Sequence, residues 1–219
     1  MQDRIQSAEA IKDIRRMMER SSRFISLSGL SGVSAGICAL MGAWLAYPYV
    51  DGQKEMLINA DAGVSQAMAG DYSIILNTWL FYIAIGTFTA AFITAFLFTF
   101  LKSKKDGTTV WSSTAKRLMI SVVVPMVVGG IFLFRMAQFG SIGLIAPGCL
   151  IFYGLALINA SKYTLAEIKY LGYIQLILGL INLFFIGYGL YFWAFGFGFM
   201  HIFYGLYMWN KYDRQNSIN

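Results

Sequence analysis

The sequence predicts an all-α, polytopic transmembrane bundle of six helices. Of its 219 residues, 58% are apolar and only 13% carry charge, and long apolar runs recur along the chain. That charged fraction is about half the value of a typical soluble domain, too low for a water-facing surface. Six spans of about 20 residues would use roughly 120 residues and leave short loops. Disorder fits poorly with the apolar content, and a disulfide scaffold fits poorly with two cysteines.

Positive charge predicts how the six spans are oriented. The spans cover residues 24–49, 73–101, 118–136, 139–160, 168–187 and 191–209. Of the 17 Lys and Arg residues, all but Lys54 and Arg135 fall on the side that holds both termini. The positive-inside rule therefore predicts a multi-pass membrane protein with cytoplasmic N and C termini. The compact chain and the lack of a cleaved signal favour the inner (plasma) membrane. Because the basic residues are dispersed between apolar runs, membrane lipids are the expected partners and nucleic acid is not.

Residues 1–23 are predicted to form an amphipathic cytoplasmic helix before the transmembrane domain of residues 24–210. Apolar side chains recur on one face, and charged side chains of both signs occupy the rest of the helix. Such a helix lies on the anionic inner surface of the membrane, extends the first span into water, or docks a cytoplasmic protein partner. Residues 211–219 are predicted to be a cytoplasmic tail.

The external loop at about residues 50–72 is acidic. It carries Asp51, Glu55, Asp61 and Asp71 with one basic residue. These carboxylates lack the alternating spacing and central glycine of a calcium-binding loop. A solvated acidic loop is the interpretation that the spacing favours.

One pentapeptide occurs twice. Residues 151–155 and 202–206 both read Ile-Phe-Tyr-Gly-Leu, and each copy is followed by a similar polar exit from the membrane. The third and fourth spans and the fifth and sixth spans, residues 118–160 and 168–210, therefore resemble a duplicated hairpin in one orientation. The alternative is a chance match between aromatic-rich segments.

The first span contains small residues at helical spacing. Ser28, Gly32 and Gly36 lie one turn apart, which allows two helix backbones to approach closely. The expected use is packing within the bundle. Self-association into a homo-oligomer and a groove for a lipid or ligand are the alternatives.

Few polar side chains enter the spans. His201, the one histidine, falls near the middle of the sixth span, and Asn182 of the fifth span is predicted at a similar depth, within hydrogen-bonding reach. Gln175 lies one or two turns closer to the cytoplasm. These three residues are the candidate ligand contacts, and a purely structural role is the alternative.

The sequence contains no constellation that predicts an enzyme, a metal or a cofactor. No Asp, Glu, Lys or Arg falls at mid-membrane depth, which disfavours ion-coupled transport. A single histidine disfavours a bis-histidine haem, and the serines of the first span have no neighbouring base. Cys38, Cys149 and His201 lie on separate spans without metal-ligand spacing. No catalytic residues, metal ligands or cofactors are therefore predicted.

Two functions remain open from the sequence. The first is an interaction or regulatory role with residues 1–23 as the cytoplasmic contact. The alternative is a small uncoupled transporter, or a protein that binds a lipid or small molecule, with a cavity near His201. Pro125 and Pro147, with neighbouring glycines, can kink helices around such a cavity, although membrane helices also tolerate proline without one.

Overall fold

The computed structural model describes residues 28–59, 79–105, 107, 112–139 and 141–213. The predicted helix at 1–23, the end of the acidic loop and residues 214–219 lie outside the described residues. Every regular element in the described part of the chain is helical. The predicted all-α class is confirmed to that extent.

In the described residues, five helices are followed by a composite helix. These helices are α1 (Gly29–Asn59), α2 (Trp79–Lys105), α3 (Ser113–Gln138), α4 (Ile145–Ala160, after a 3-10 turn at Ile142–Leu144) and α5 (Ile168–Phe184). Residues 189–213 form the composite helix: α6 (Gly189–Trp193), a π-helical segment (Ala194–Phe199), α7 (Met200–Met208) and a second π-helical segment (Trp209–Asp213).

Four stretches in the described residues are long and apolar enough to cross a membrane: Gly29–Val50, Trp79–Lys105, Ser113–Gln138 and Ile142–Ala160. Many of the large apolar side chains of these helices are exposed on the outer surface. Trp44 is 76% exposed and Ile131 is 66% exposed. Contiguous apolar surface of this extent is unfavourable in water and favourable against lipid chains, so the fold is that of a membrane protein.

The helix boundaries differ from the predicted spans at several ends. Helix α1 continues to Asn59, so the first part of the predicted acidic loop is helical. The composite helix continues to Asp213, past the predicted start of the tail. Pro147 lies in the first turn of α4. The N–H groups of a first turn have no acceptor within their own helix, so the N–H that proline lacks is not missed and no kink is required there.

The helices pack in antiparallel pairs, and each pair meets at a glycine. Helix α1 meets α2 where Gly42 faces Thr87, and α3 meets α4 where Gly129 faces Phe152. Helix α4 meets α5 at Gly154 and Gly172, and the composite helix meets α1 at Gly205 and Gly32. Glycines occur at each contact because backbones or large side chains approach there too closely for another Cβ.

A polar cluster joins the end of the composite helix to the turn before α5. The Glu167 carboxylate accepts hydrogen bonds from Lys211 Nζ and Tyr212 Oη, each at 2.6 Å. Partial burial opposes ionisation of Glu167, but these two hydrogen bonds outweigh it and hold its pKa below the ordinary value. The hydrogen bond from Lys211 in turn raises the pKa of the amine. Both groups are therefore charged at neutral pH, and the pair links the second π-helical segment to the start of α5.

Candidate binding site

The π-helical segment gives the composite helix its unusual shape. Phe and Gly alternate from Phe195 to Phe199, and the Met200 N–H donates to the Phe195 carbonyl, five residues back. In a π turn the regular ladder of hydrogen bonds is interrupted, so a carbonyl can accept from side chains. A Cβ on Gly196 would lie 2.7 Å from Gln175 Oε1, so a larger residue here would displace the Gln175 amide.

The Gly196 carbonyl is the centre of a buried polar cluster. Gln175 Nε2 donates to it at 2.7 Å, and His201 Nδ1 lies 3.0 Å from it. His201 Nε2 lies 2.8 Å from Tyr153 Oη of α4. Gln175 is fully buried and His201 is 6% exposed. The cluster therefore connects α4, α5 and the composite helix in the interior of the bundle.

The partners determine which atoms carry protons. A carbonyl oxygen can only accept, so His201 Nδ1 carries the hydrogen that it donates to Gly196. In a neutral imidazole Nε2 is then an acceptor, and Tyr153 Oη donates its proton to it. Neither partner is charged, which favours the neutral ring at this buried position. Gln175 Nε2 and His201 Nδ1 are both donors, so they share the carbonyl rather than bond each other.

The structure brings together two of the three predicted polar residues, His201 and Gln175, and places the third elsewhere. Asn182 Nδ2 donates to the Phe185 carbonyl at 3.1 Å, and its Oδ1 has no hydrogen-bond partner in the described part of the chain. The predicted hydrogen bond between His201 and Asn182 is wrong. The hairpin turn lies closer to residue 186 than to residue 190, so Asn182 faces Gly189 and Gln175 faces Gly196.

A cavity of about 300 Å³ lies beside this cluster. Its two sides come from α2 and α3, and α1, α4 and the composite helix complete its wall. The lining residues are Ala35, Ala39, Thr87, Phe88, Ala91, Phe92, Met126, Gly129, Gly130, Leu133, Cys149, Phe152, Tyr153, Trp193, Phe197 and His201. None of these side chains is an acid, a lysine or an arginine. The cavity is an apolar space with the Tyr153 and His201 pair at its wall.

The cavity opens on the lipid-facing surface of the bundle. Phe88 and Phe92, which line it from α2, are 63% and 64% exposed. On α3, a Cβ added at Gly130 would meet no atom within 4 Å. Since α2 and α3 supply the exposed edges, an apolar molecule could reach the cavity directly from the bilayer.

The two cysteines do not form a metal site with the histidine. Cys149 lines the cavity, whereas Cys38 Sγ lies 3.9 Å from Thr94 Oγ1, between α1 and α2. In the residues that the structure describes, no group of three His, Cys, Asp or Glu side chains could hold a metal ion.

Two of the three predicted packing residues, Gly32 and Gly36, contact the composite helix. A Cβ on Gly32 would lie 3.2 Å from Gly205 Cα, and one on Gly36 would lie 2.7 Å from the Gly198 carbonyl. Ser28 is buried at the start of α1, where its carbonyl accepts from the Ser31 hydroxyl. The small-residue stripe therefore packs within the chain at Gly32 and Gly36.

Sequence reasoning did not assign two members of the site, Tyr153 and the Gly196 carbonyl. Tyr153 is the central residue of the first pentapeptide copy, and Gly196 belongs to the alternating Phe and Gly run. Both patterns are visible in the sequence, but neither predicts which groups lie in contact.

Comparison with protein-family models, with curated proteins and with solved structures finds no match for this chain.

Proposed function

We propose that this chain is a membrane protein that binds an uncharged lipid or small molecule in the cavity beside His201. The observation that carries the proposal is the cavity itself: an apolar space of about 300 Å³, at the lower end of the size range of ligand pockets, with one polar pair at its wall. A wall without charged side chains favours an uncharged ligand, because an unpaired charge is unfavourable at this depth. A small uncoupled transporter would use the same cavity.

The proposed topology has six spans, arranged as three hairpins in the plasma membrane with both termini in the cytoplasm. The four long apolar helices support it, and α5, of 17 residues, is an apolar helix just short of a full span. The composite helix is divided by its π-helical segments but is continuous over residues 189–213. Lys102 at the end of α2, Lys116 at the start of α3 and Lys211 fall at the end that the positive-inside rule places in the cytoplasm.

A pair of tryptophan substitutions tests the cavity. In Gly130→Trp the side chain enters open space at the cavity wall, so ligand binding should fall at least tenfold while the protein remains folded. Gly86→Trp is the matched control: Gly86 also has open space around it, but it does not line the cavity. Native mass spectrometry of the intact protein, ejected from its own membrane fragments, measures the retained adducts. An adduct that survives equally in both variants would contradict the proposal.

The interaction or regulatory role is a second proposal, supported by the charge pattern of residues 1–23. The six basic residues of this segment, with interleaved acids, would give a cytoplasmic partner a mixed-charge surface. Deleting residues 1–20 should abolish capture of that partner without changing adducts in the cavity. Undiminished capture by the shortened chain would rule out this segment as the contact.

A further inference from the structure

We infer that the ligand is a long-chain amphiphile whose head is an uncharged hydroxyl group, held by Tyr153 and taken laterally from the bilayer between α2 and α3. This inference rests on the proposed binding function and specifies its ligand. It follows from the hydrogen-bond roles of the cavity wall, from the cavity's volume and from the position of its opening.

The hydrogen-bond roles of Tyr153 and His201 favour a ligand that donates to Tyr153. His201 Nδ1 gives its hydrogen to Gly196, and Tyr153 Oη gives its hydrogen to His201 Nε2. Both protons of this pair are therefore committed inside the protein. What Tyr153 still offers is a lone pair on its oxygen, which accepts a hydrogen bond from an O–H group. A hydroxyl satisfies that acceptor, whereas an ether or an ester carbonyl has no hydrogen to give.

The absence of charged side chains in the lining also restricts the class of head group that can bind. Five lining side chains carry a polar atom or a thiol: Thr87, Cys149, Tyr153, Trp193 and His201. None of them is a cation that could neutralise a phosphate or carboxylate. Moving an ionised head group into this wall would require it to lose water without a partner. Phospholipids and ionised fatty acids are therefore disfavoured relative to a neutral alcohol.

The volume indicates how much of the ligand is enclosed. At about 300 Å³ the cavity is at the lower end of the range for ligand pockets, too small to enclose a whole long-chain lipid. A head group and the first part of a chain fill that space. The rest of a longer chain would pass between Phe92 and Gly130, at the exposed edges of the opening, and remain among lipid chains.

Competition photolabelling tests this ligand class. The full chain is reconstituted in phosphatidylcholine nanodiscs and labelled with a hexadecanol that carries a diazirine, and the labelled peptides are mapped by mass spectrometry. The competitors are hexadecanol, its methyl ether and hexadecanoate. Hexadecanol should compete about 2- to 10-fold better than the ether, the range expected for one neutral hydrogen bond. Hexadecanoate should compete more weakly than hexadecanol. Tyr153→Phe should remove the preference for the alcohol while leaving labelling by the chain in place.

The variants distinguish the failure of this inference from the failure of the proposed function. If the ether or hexadecanoate competes as well as hexadecanol, and Gly130→Trp still abolishes labelling, the cavity binds a ligand but the hydroxyl class is wrong. If labelling of α2, α3 and α4 is the same in Gly130→Trp as in the Gly86→Trp control, both the ligand class and the binding function are wrong. The comparison of alcohol with ether uses the unaltered protein, so it holds even if Tyr153→Phe is unstable.

Discussion

Replacing Gly154 by leucine should destabilise the bundle by about 3 kcal/mol or more, at the upper end of the range for overpacked interiors. Gly154 lies where α4 crosses α5, and a Cβ there would be 2.8 Å from both the Gly172 carbonyl oxygen and the Leu176 amide nitrogen. Because these are backbone atoms, no side-chain rotation can relieve the overlap. The two helices would have to separate.

Unfolding of the purified protein by titration with a denaturing detergent measures this effect, with Gly130→Leu as the matched control. Gly130 is also a helical glycine, but its added side chain meets open space, and leucine has the higher helix propensity. Its stability should be unchanged or slightly raised. Equal stability of Gly154→Leu and Gly130→Leu would show that α4 and α5 do not cross at these glycines.

Replacing His201 by leucine should destabilise the protein by about 1 to 3 kcal/mol, the range for leaving a buried polar group without its partner. The change removes the acceptor of Tyr153 Oη and one of the two side-chain donors to the Gly196 carbonyl. Leucine is similar in size, so loss of packing contributes less. Tyr207→Phe is the control, since it removes a hydroxyl from an exposed side chain and should change stability by less than about 0.5 kcal/mol.

A double-mutant cycle separates the hydrogen bond from other effects of these substitutions. If Tyr153 and His201 are coupled as described, His201→Leu combined with Tyr153→Phe should be less destabilising than the sum of the single changes, by about 1 kcal/mol. Strictly additive effects would contradict the hydrogen bond between Tyr153 and His201.

Four of the six predicted spans coincide with long apolar helices, because hydropathy depends only on local composition. The stripe of Gly32 and Gly36 is similarly local: small residues one turn apart permit close packing whatever the partner. Which helix packs there is a non-local property. That partner is the composite helix, at the far end of the chain, and no spacing in the first span identifies it.

The candidate site was only partly predictable because its register depends on one turn. Asn182 and Gln175 are two turns apart on α5 and both face the composite helix, so the position of the turn decides which of them lies opposite His201. The segment from Phe185 to Tyr188 is apolar and gives no polar boundary, and the structural signal is Gly187, which adopts a φ of 100°. The π-helical segment then determines which carbonyl meets Gln175 and His201, a feature that hydropathy does not encode.

The central claim is that a ligand binds in the cavity that opens between α2 and α3. An experimental density map of the full chain in lipid nanodiscs would test it most directly, because the map shows both the opening and any ligand in it. We predict that the helices remain apart at Phe88, Phe92 and Gly130, and that elongated density enters the cavity from the bilayer and ends beside Tyr153 Oη. Direct packing of α2 on α3, with the Phe88 and Phe92 rings filling the space, would contradict the proposed binding site.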